Sequence, residues 1–321
     1  MSRKQNLMRK PIVTVIGSFA VGMTLRTDRM PVFGETLVGS DFDMGPGGKG
    51  SNQAVAAARL EAEAHFVGLI GDDTLGTMAT SLYAAEGVQT EYLTKSRELP
   101  TGVGFIIVNP EGKNGIILDM GANKLLDHSF VEKAEPLIAR SDIVLSVLEI
   151  PLDAARTAME LGRKHGVRTI LNPAPATPLP AEMFAAIDYL TPNETELRIL
   201  LGLRPDHPGS TAELGTELKK KFGTTVLVTR GESGVLLLDD QKVKQVPAVP
   251  VKVVDSTGAG DAFTAALAVA LAEGKDLLAA ARFACCHGAL ACTRLGVIPS
   301  LAHRHETDSL LSKCLSGSSE L

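Results

Sequence analysis

The stretch IVLSVLEIPLDAARTAMELGRKHGVRTIL, residues 143–171, decides the fold class. Its first five residues form a short apolar run suited to a buried strand, Leu152 to His165 is rich in helix formers, and Arg168 to Leu171 is again strand-like. Strand, helix and strand in succession make parallel neighbours, because antiparallel strands need only a tight turn between them. The rhythm extends both ways. Upstream, PIVTVIGS (11–18) reads as a buried strand, Ser51 to Leu60 as a helix, HFVGLIG (65–71) as a strand and Leu75 to Glu86 as a helix. Downstream come strand Asp188 to Leu190, helices Glu194 to Leu201 and Thr211 to Phe222, and strand Thr225 to Thr229. A meander over Gly234 to Val246 and two Ala-rich helices, Asp261 to Glu273 and Asp276 to Arg294, follow. The alternation predicts an α/β fold with a mainly parallel sheet between layers of helices, and ligands in such sheets sit at the carboxyl ends of the strands.

Two pairs of short, half-exposed strands break the alternation: Val21 to Leu25 with Thr36 to Phe42, and Gly102 to Val108 with Asn114 to Asp119 around the turn NPEG (109–112). They predict a small β lid, spanning about residues 20–44 and 101–120, over the ligand edge. A loose leader over 1–10, one α/β body over 11–303 and a C-terminal helix and tail over 304–321 complete the expected organisation.

Composition narrows the function classes. The 321 residues are 45% hydrophobic and 21% charged, which suits a chain with a large core. Lys and Arg number 32 against 37 Asp and Glu, a net charge of -5 that supplies no broad basic face for nucleic acid. Trp is absent and aromatics make up 4%, too few for base-stacking platforms or a membrane-interface belt. Cys285, Cys286, Cys292 and Cys314 form no CxxC pair, and reduced thiols in a cytoplasm are expected. The basic start, with Arg3, Lys4, Arg9 and Lys10, precedes an apolar run from Ile12 to Met23 that imitates a secretory signal. Ser18 and two glycines interrupt it, and no A-x-A-like site follows. The longest later apolar stretch, Ala262 to Ala272, is about half a membrane span. A small molecule is the expected ligand class.

Four segments carry candidate chemistry. MGPGGKGSNQAVAA (44–57) leads four glycines and Lys49 into a helix, where free N–H groups can meet an anion or a hydroxyl oxygen, or where the glycines merely make a tight connection. It is not a Walker A loop, because Gly50 follows Lys49. VVDSTGAGDAFTAALAVAL (253–271) sets Gly258, Ala259 and Gly260 as a nest of N–H groups beside Asp261, either a helix cap or a general base next to an anion hole. TPNETEL (191–197) places Asn193 and Glu196 three apart at a strand-to-helix junction, either an ordinary capping pair or a water-mediated hard-cation site. VTRGESGV (228–235) is a hairpin turn or a nucleotide-contacting loop, and it fails the GxSxG elbow at Val235. HRHE (303–306) cannot be HExxH and is expected to be solvated.

Taken together and in this order, GGKGSNQA, NPAPA (172–176), TPNETE, TRGESG and DSTGAGD resemble the ribokinase and phosphofructokinase-B family of carbohydrate kinases, nearest its ribokinase branch, over about Ile12 to Ser300. The resemblance implies a ribokinase-like three-layer sandwich whose β lid serves as a homodimer interface. It further implies ATP-dependent phosphorylation of a sugar hydroxyl, with Mg²⁺ and a monovalent cation, usually K⁺. Carried over by motif, Asp261 is the catalytic base and Gly258, Ala259 and Gly260 its anion hole. Gly48, Lys49, Asn52 and Glu149 contact the sugar. Asn193, Thr229, Gly231, Gly234 and Gly260 lie on the nucleotide side, and Glu196 helps position hydrated Mg²⁺. The monovalent cation lies near Asp255, Thr257, Ala291, Arg294, Gly296 and Ser300, mostly through carbonyl oxygens.

One departure bears on the acceptor. Ribokinase-like sequences carry Asn and Asp just after the first strand in a GSxNxD pattern, and here GSFAVG (17–22) places Ala20 and Gly22 there. Losing two polar anchors makes ribose itself doubtful and suits a bulkier, less hydroxylated or acidic sugar. Asp119 and Met120 are candidates for replacement contacts. A nucleoside kinase of the same superfamily and a non-catalytic sugar or nucleotide sensor are the alternatives, and the missing GxGxxG after the first strand disfavours a dinucleotide oxidoreductase.

Overall fold

The computed structural model describes residues 9–111, 114–240 and 243–317. Most of the expected leader, the end of the NPEG turn and the last four residues of the tail lie outside them. The strands are β1 (Ile12–Ile16), β2 (Ala20–Arg26), β3 (Ser40–Gly47), β4 (Glu63–Gly71), β5 (Gln89–Ser96), β6 (Gly102–Val108), β7 (Asn114–Asp119), β8 (Ile143–Val147), β9 (Arg168–Asn172), β10 (Tyr189–Leu190), β11 (Thr225–Thr229), β12 (Val235–Leu238) and β13 (Val243–Val246). Nine build one sheet in the order β13-β12-β11-β10-β9-β8-β1-β4-β5. Every pair from β11 to β5 is parallel, and only the β11–β12–β13 meander is antiparallel.

Period-two alternation builds the core on both faces. Val13 and Val15 of β1, with Phe66 and Leu145 on the neighbouring strands, pack against the helices Lys49–Arg59, Ala259–Ala272 and Leu277–Ala291. Ile16, Val67 and Val144 pack on the opposite face against the helix Leu152–Lys164 and its neighbours. The C-terminal helix, Arg304–Ser316, packs on the Leu277 helix, and the HRHE segment at its start is engaged rather than solvated. There Glu306 pairs with Arg294, and Arg304 with Glu273 and Asp308. All four cysteines are free. Among the described residues no helix is long and apolar enough to cross a membrane.

A second sheet, in the order β3-β2-β6-β7, forms the lid. Its central pair is parallel and its outer pairs antiparallel. The strand expected over Thr36 to Phe42 starts four residues later, at Ser40, and runs to Gly47, directly before the helix that carries Lys49. Register places Gly45, Gly22 and Gly104 side by side across the lid, with Gly47, Ala20 and Gly102 in the next row. Opposed residues of paired strands share a face, so these six small residues line one lid face together with Leu118, which opposes Gly104.

Candidate active site

The chain ends of β1, β8, β9, β10 and β11 bring the motif segments to one edge of the main sheet. The start of the Lys49 helix seats itself there by close approach. A Cβ at Gly48, whose φ is +91°, would stand 2.8 Å from the Ala20 nitrogen, and one at Gly50 would stand 2.6 Å from that of Ser18. These two glycines therefore let the chain pack on itself, as the tight-connection alternative expected. Glu149, just past β8, accepts from the Lys49 N–H at 2.8 Å and from Ser18 Oγ at 2.6 Å. Ser18, which sequence reasoning did not single out, thereby joins the first strand's end to the carboxylate.

Asp261 lies in the first turn of the Ala259–Ala272 helix and is 4% exposed. Asn52 Nδ2 donates to its Oδ2 at 2.8 Å and Gln53 Nε2 to its Oδ1 at 3.0 Å. Gly258, at φ +81°, is the N-cap, and no side chain caps this helix. Asp261 is therefore not the capping residue. The expected nest needs correction at one member, because the helix begins at Ala259 and the Ala259 N–H closes a turn onto the Ser256 carbonyl at 3.2 Å. The N–H groups of Gly258 and Gly260 have no protein partner among the described residues and are left open to a ligand. A Cβ at Gly260 would meet nothing within 4 Å, so this position opens onto free space.

Asn193 and Glu196 form a reciprocal capping box: Asn193 Oδ1 accepts from the Glu196 N–H and Glu196 Oε2 from the Asn193 N–H, both at 2.8 Å. The capping alternative is thus realised. Thr229 bridges to Asn193, and its N–H donates to the Pro192 carbonyl, so the two nucleotide-side segments adjoin. Gly231 and Gly234, both at positive φ, shape the turn from β11 to β12.

Asp255 organises the loop ahead of the nest. Its Oδ1 accepts from the Thr257 N–H at 2.9 Å and from Thr257 Oγ1 at 2.6 Å, and its Oδ2 from the Gly296 N–H at 3.1 Å. Asp255, Thr257 and Gly296 are therefore brought together, and Ser300 is buried in the short helix Val297–Ser300 that follows. The Arg294 guanidinium pairs with Glu306.

Charge converges on Lys49. Its ammonium is held above its ordinary pKa by Asp261 and then, beyond the opposing effect of burial, by Glu149 and Glu196. Burial pushes the carboxyls of Glu149 and Glu196 up, with Lys49 opposing in both. Among the described residues no three His, Cys, Asp or Glu side chains stand close enough to hold a metal directly.

Asp119 does not face the Ala20 and Gly22 positions. It opposes Val103 in register, which places it on the other lid face, and its Oδ1 pairs with Lys124 and the Gly121 N–H. The positions beside Gly22 are instead filled by apolar Leu118 and Ile106.

The sequence matches the family model described as pfkB family carbohydrate kinase over residues 10–304, a span that includes every segment gathered at this edge of the sheet. The chain belongs to the pfkB family of carbohydrate kinases. It is 39% identical over 300 residues to a ribokinase of Bacillus subtilis, covering 94% of this chain and 99% of the relative. It is 35% identical over 301 residues to a deoxyribokinase of Salmonella typhi, covering 94% and 98%. Its fold is similar to the structure of Arabidopsis thaliana ribokinase complexed with ribose and ATP, at a TM-score of 0.87 and 33% identity, covering 95% and 99%. This pfkB-family chain is accordingly an ATP-dependent carbohydrate kinase with a ribokinase-like α/β fold.

Proposed function

We propose that the enzyme transfers the γ-phosphoryl group of ATP to a hydroxyl of a pentose or related sugar less hydroxylated than ribose at the lid side. The observation that carries the catalytic half is Asp261: buried, fixed through both carboxylate oxygens, and adjacent to the free N–H groups of Gly258 and Gly260. Phosphoryl transfer passes through a loose transition state, so catalysis is chiefly positioning and charge stabilisation. Asp261 orients the acceptor hydroxyl and takes its proton as the oxygen bonds to the γ-phosphorus. The bond from that phosphorus to the β–γ bridging oxygen breaks, ADP leaves, and the nest N–H groups hold the charge on the transferred group. Asn52 Oδ1, buried and without a protein partner among the described residues, is an acceptor suited to a sugar hydroxyl.

Asn193, Thr229, Gly231 and Gly234 form the nucleotide side in this reading. Glu196 would help hold hydrated Mg²⁺, which would supply charge stabilisation for the phosphates. The loop residues Asp255, Thr257 and Gly296, joined through the Asp255 carboxylate, would hold K⁺ together with Ala291, Arg294 and Ser300, mostly through carbonyl oxygens. The acceptor half rests on Ala20 and Gly22, which replace the family's two polar anchors on a lid face otherwise lined by glycines and Leu118. The deoxyribokinase likeness at 35% identity supports an acceptor with fewer hydroxyls. Phe42, Met44, Phe105 and Ile117, all exposed on the opposite lid face, support a homodimer through the lid, and four free thiols suit a reducing cytoplasm.

Turnover over a panel of pentoses, ketoses, deoxysugars, sugar acids and nucleosides at fixed Mg-ATP and K⁺ tests this reading. A deoxypentose or a bulkier sugar is expected to give the highest kcat/KM. A clear optimum on D-ribose refutes the reading of positions 20 and 22, and an optimum on adenosine makes the enzyme a nucleoside kinase.

A further inference from the structure

We infer that Gln53 is a positioning residue for Asp261, itself anchored by a closed ring of buried hydrogen bonds through Asn172, Thr191 and Thr264. The inference rests on the reading of Asp261 as the base. An aspartate's carboxylate turns on a broad, weakly restricted torsion, so one donor leaves its plane free to swing. Two donors on separate oxygens fix that plane, and consecutive residues of one helix, Asn52 and Gln53, supply them. Asn52 retains an oxygen for a ligand. Gln53, 0% exposed, spends both amide hydrogens on the protein.

The bonds continue beyond Gln53. Gln53 Nε2 gives one hydrogen to Asp261 Oδ1 and the other to Asn172 Oδ1 at 3.3 Å. Asn172 Nδ2 donates to the Thr191 carbonyl at 3.1 Å, and Thr191 Oγ1 meets Thr264 Oγ1 at 3.0 Å. Thr264 lies one helical turn beyond Asp261, so the ring closes on the helix where it began. An ionised carboxylate only accepts, which obliges Gln53 to turn its NH₂ inward and leaves its Oε1 without a protein partner among the described residues. The five residues are each at most 6% exposed, and they come from four of the motif segments. A buried polar network of this kind rigidifies what it holds. The ring also ties Asp261 to the strand end that leads, two residues after Thr191, into the Asn193–Glu196 box.

The test compares Gln53→Met, which keeps length and removes the donor, with Thr264→Val, an isosteric break in the ring that touches no substrate, and with Asp261→Asn. Steady-state kinetics use Mg-ATP and K⁺ with D-ribose and 2-deoxy-D-ribose as acceptors, and thermal unfolding monitors the fold. Misplacing a catalytic group by about 1 Å costs on the order of 10²-fold. Gln53→Met is expected to lower kcat about 10- to 100-fold with both KM values within about twofold, and Thr264→Val to lower kcat about three- to tenfold. Unchanged kcat in both, while Asp261→Asn is inactive, overturns the inference and leaves the base in place. A KM rise that accounts for the loss makes Gln53 a binding residue and also overturns it. Near wild-type turnover in Asp261→Asn refutes the base itself. Should Gln53→Met not fold, Thr264→Val decides.

Discussion

Asn52 Nδ2 and Asp261 Oδ2 stand 2.8 Å apart although 209 residues separate them in the chain. This bond joins the first turns of two helices that pack on the same face of the main sheet, so the acceptor loop and the phosphoryl-transfer loop share one reference point.

Asp261→Asn keeps the shape of the side chain and removes its basicity. ATP and sugar binding, measured by calorimetry, should persist while kcat falls by roughly 10²- to 10⁴-fold, the range of general-base catalysis.

Gly50→Ala and Gly260→Ala should diverge. The added methyl at position 50 meets the backbone of Gly17 and Ser18, and an overpacked site of this kind is destabilised by about 1–3 kcal/mol in urea titrations. The methyl at position 260 meets no protein atom within 4 Å, so unfolding should be unchanged while turnover drops, because the space it fills belongs to the transferred group.

Ala20→Asn combined with Gly22→Asp restores the two polar anchors. A Cβ at position 22 makes only ordinary contact, 3.6 Å to Ile106 Cδ1, so the lid accepts the change. The kcat/KM for D-ribose relative to 2-deoxy-D-ribose should rise at least about tenfold, in line with about 1–3 kcal/mol per hydroxyl left unpaired or newly bonded. An unchanged ratio would mean that this lid face does not read the acceptor.

His287, fully buried against Thr307, has its pKa lowered by burial to about 4 from 6.5. A depressed pKa means that the unfolded chain binds the proton more readily, so the stability this group contributes is present above about 6.5 and lost as pH falls towards 4. The full loss is about 3 kcal/mol at roughly 1.4 kcal/mol per unit. Urea midpoints measured from pH 7 to 4 should fall more steeply for the wild type than for His287→Gln.

Replacing K⁺ with tetramethylammonium should reduce turnover by about tenfold or more if the proposed cation beside the Asp255–Thr257–Gly296 loop sets the geometry that leads into Gly258. An unchanged rate would separate that loop from catalysis.

Much of this architecture is written locally. Strand Thr225–Thr229 falls on the residues its pattern predicts because burial in the main sheet imprints an apolar run, and the lid strand Gly102–Val108 does so through its β-branched run beside the NPEG turn. The strand Gln89–Ser96 left no such imprint: it is a sheet-edge strand with no fully buried residue, and its sequence QTEYLTKS reads as polar. Ser40–Gly47 was displaced for a related reason, since its exposed SDFD start includes Asp41 at φ +50° and lacks a buried face. The motifs and the family resemblance pointed to Asp261, Lys49 and Asn52, and the structure sets Asn52 against Asp261. Ser18, Gln53 and Asn172 lay inside quoted motifs, yet their partners stand more than 100 residues away, and no local pattern records such a bond.

The glycine-lined lid face has an evolutionary corollary. Ala20 and Gly22 contribute little to the interior, whereas Asp261, Gln53 and Asn172 are locked in it. Drift at the two lid positions can therefore retune which alcohol is chosen while leaving folding and group transfer untouched, and descendants of one ancestral enzyme can diverge in diet without relearning their chemistry.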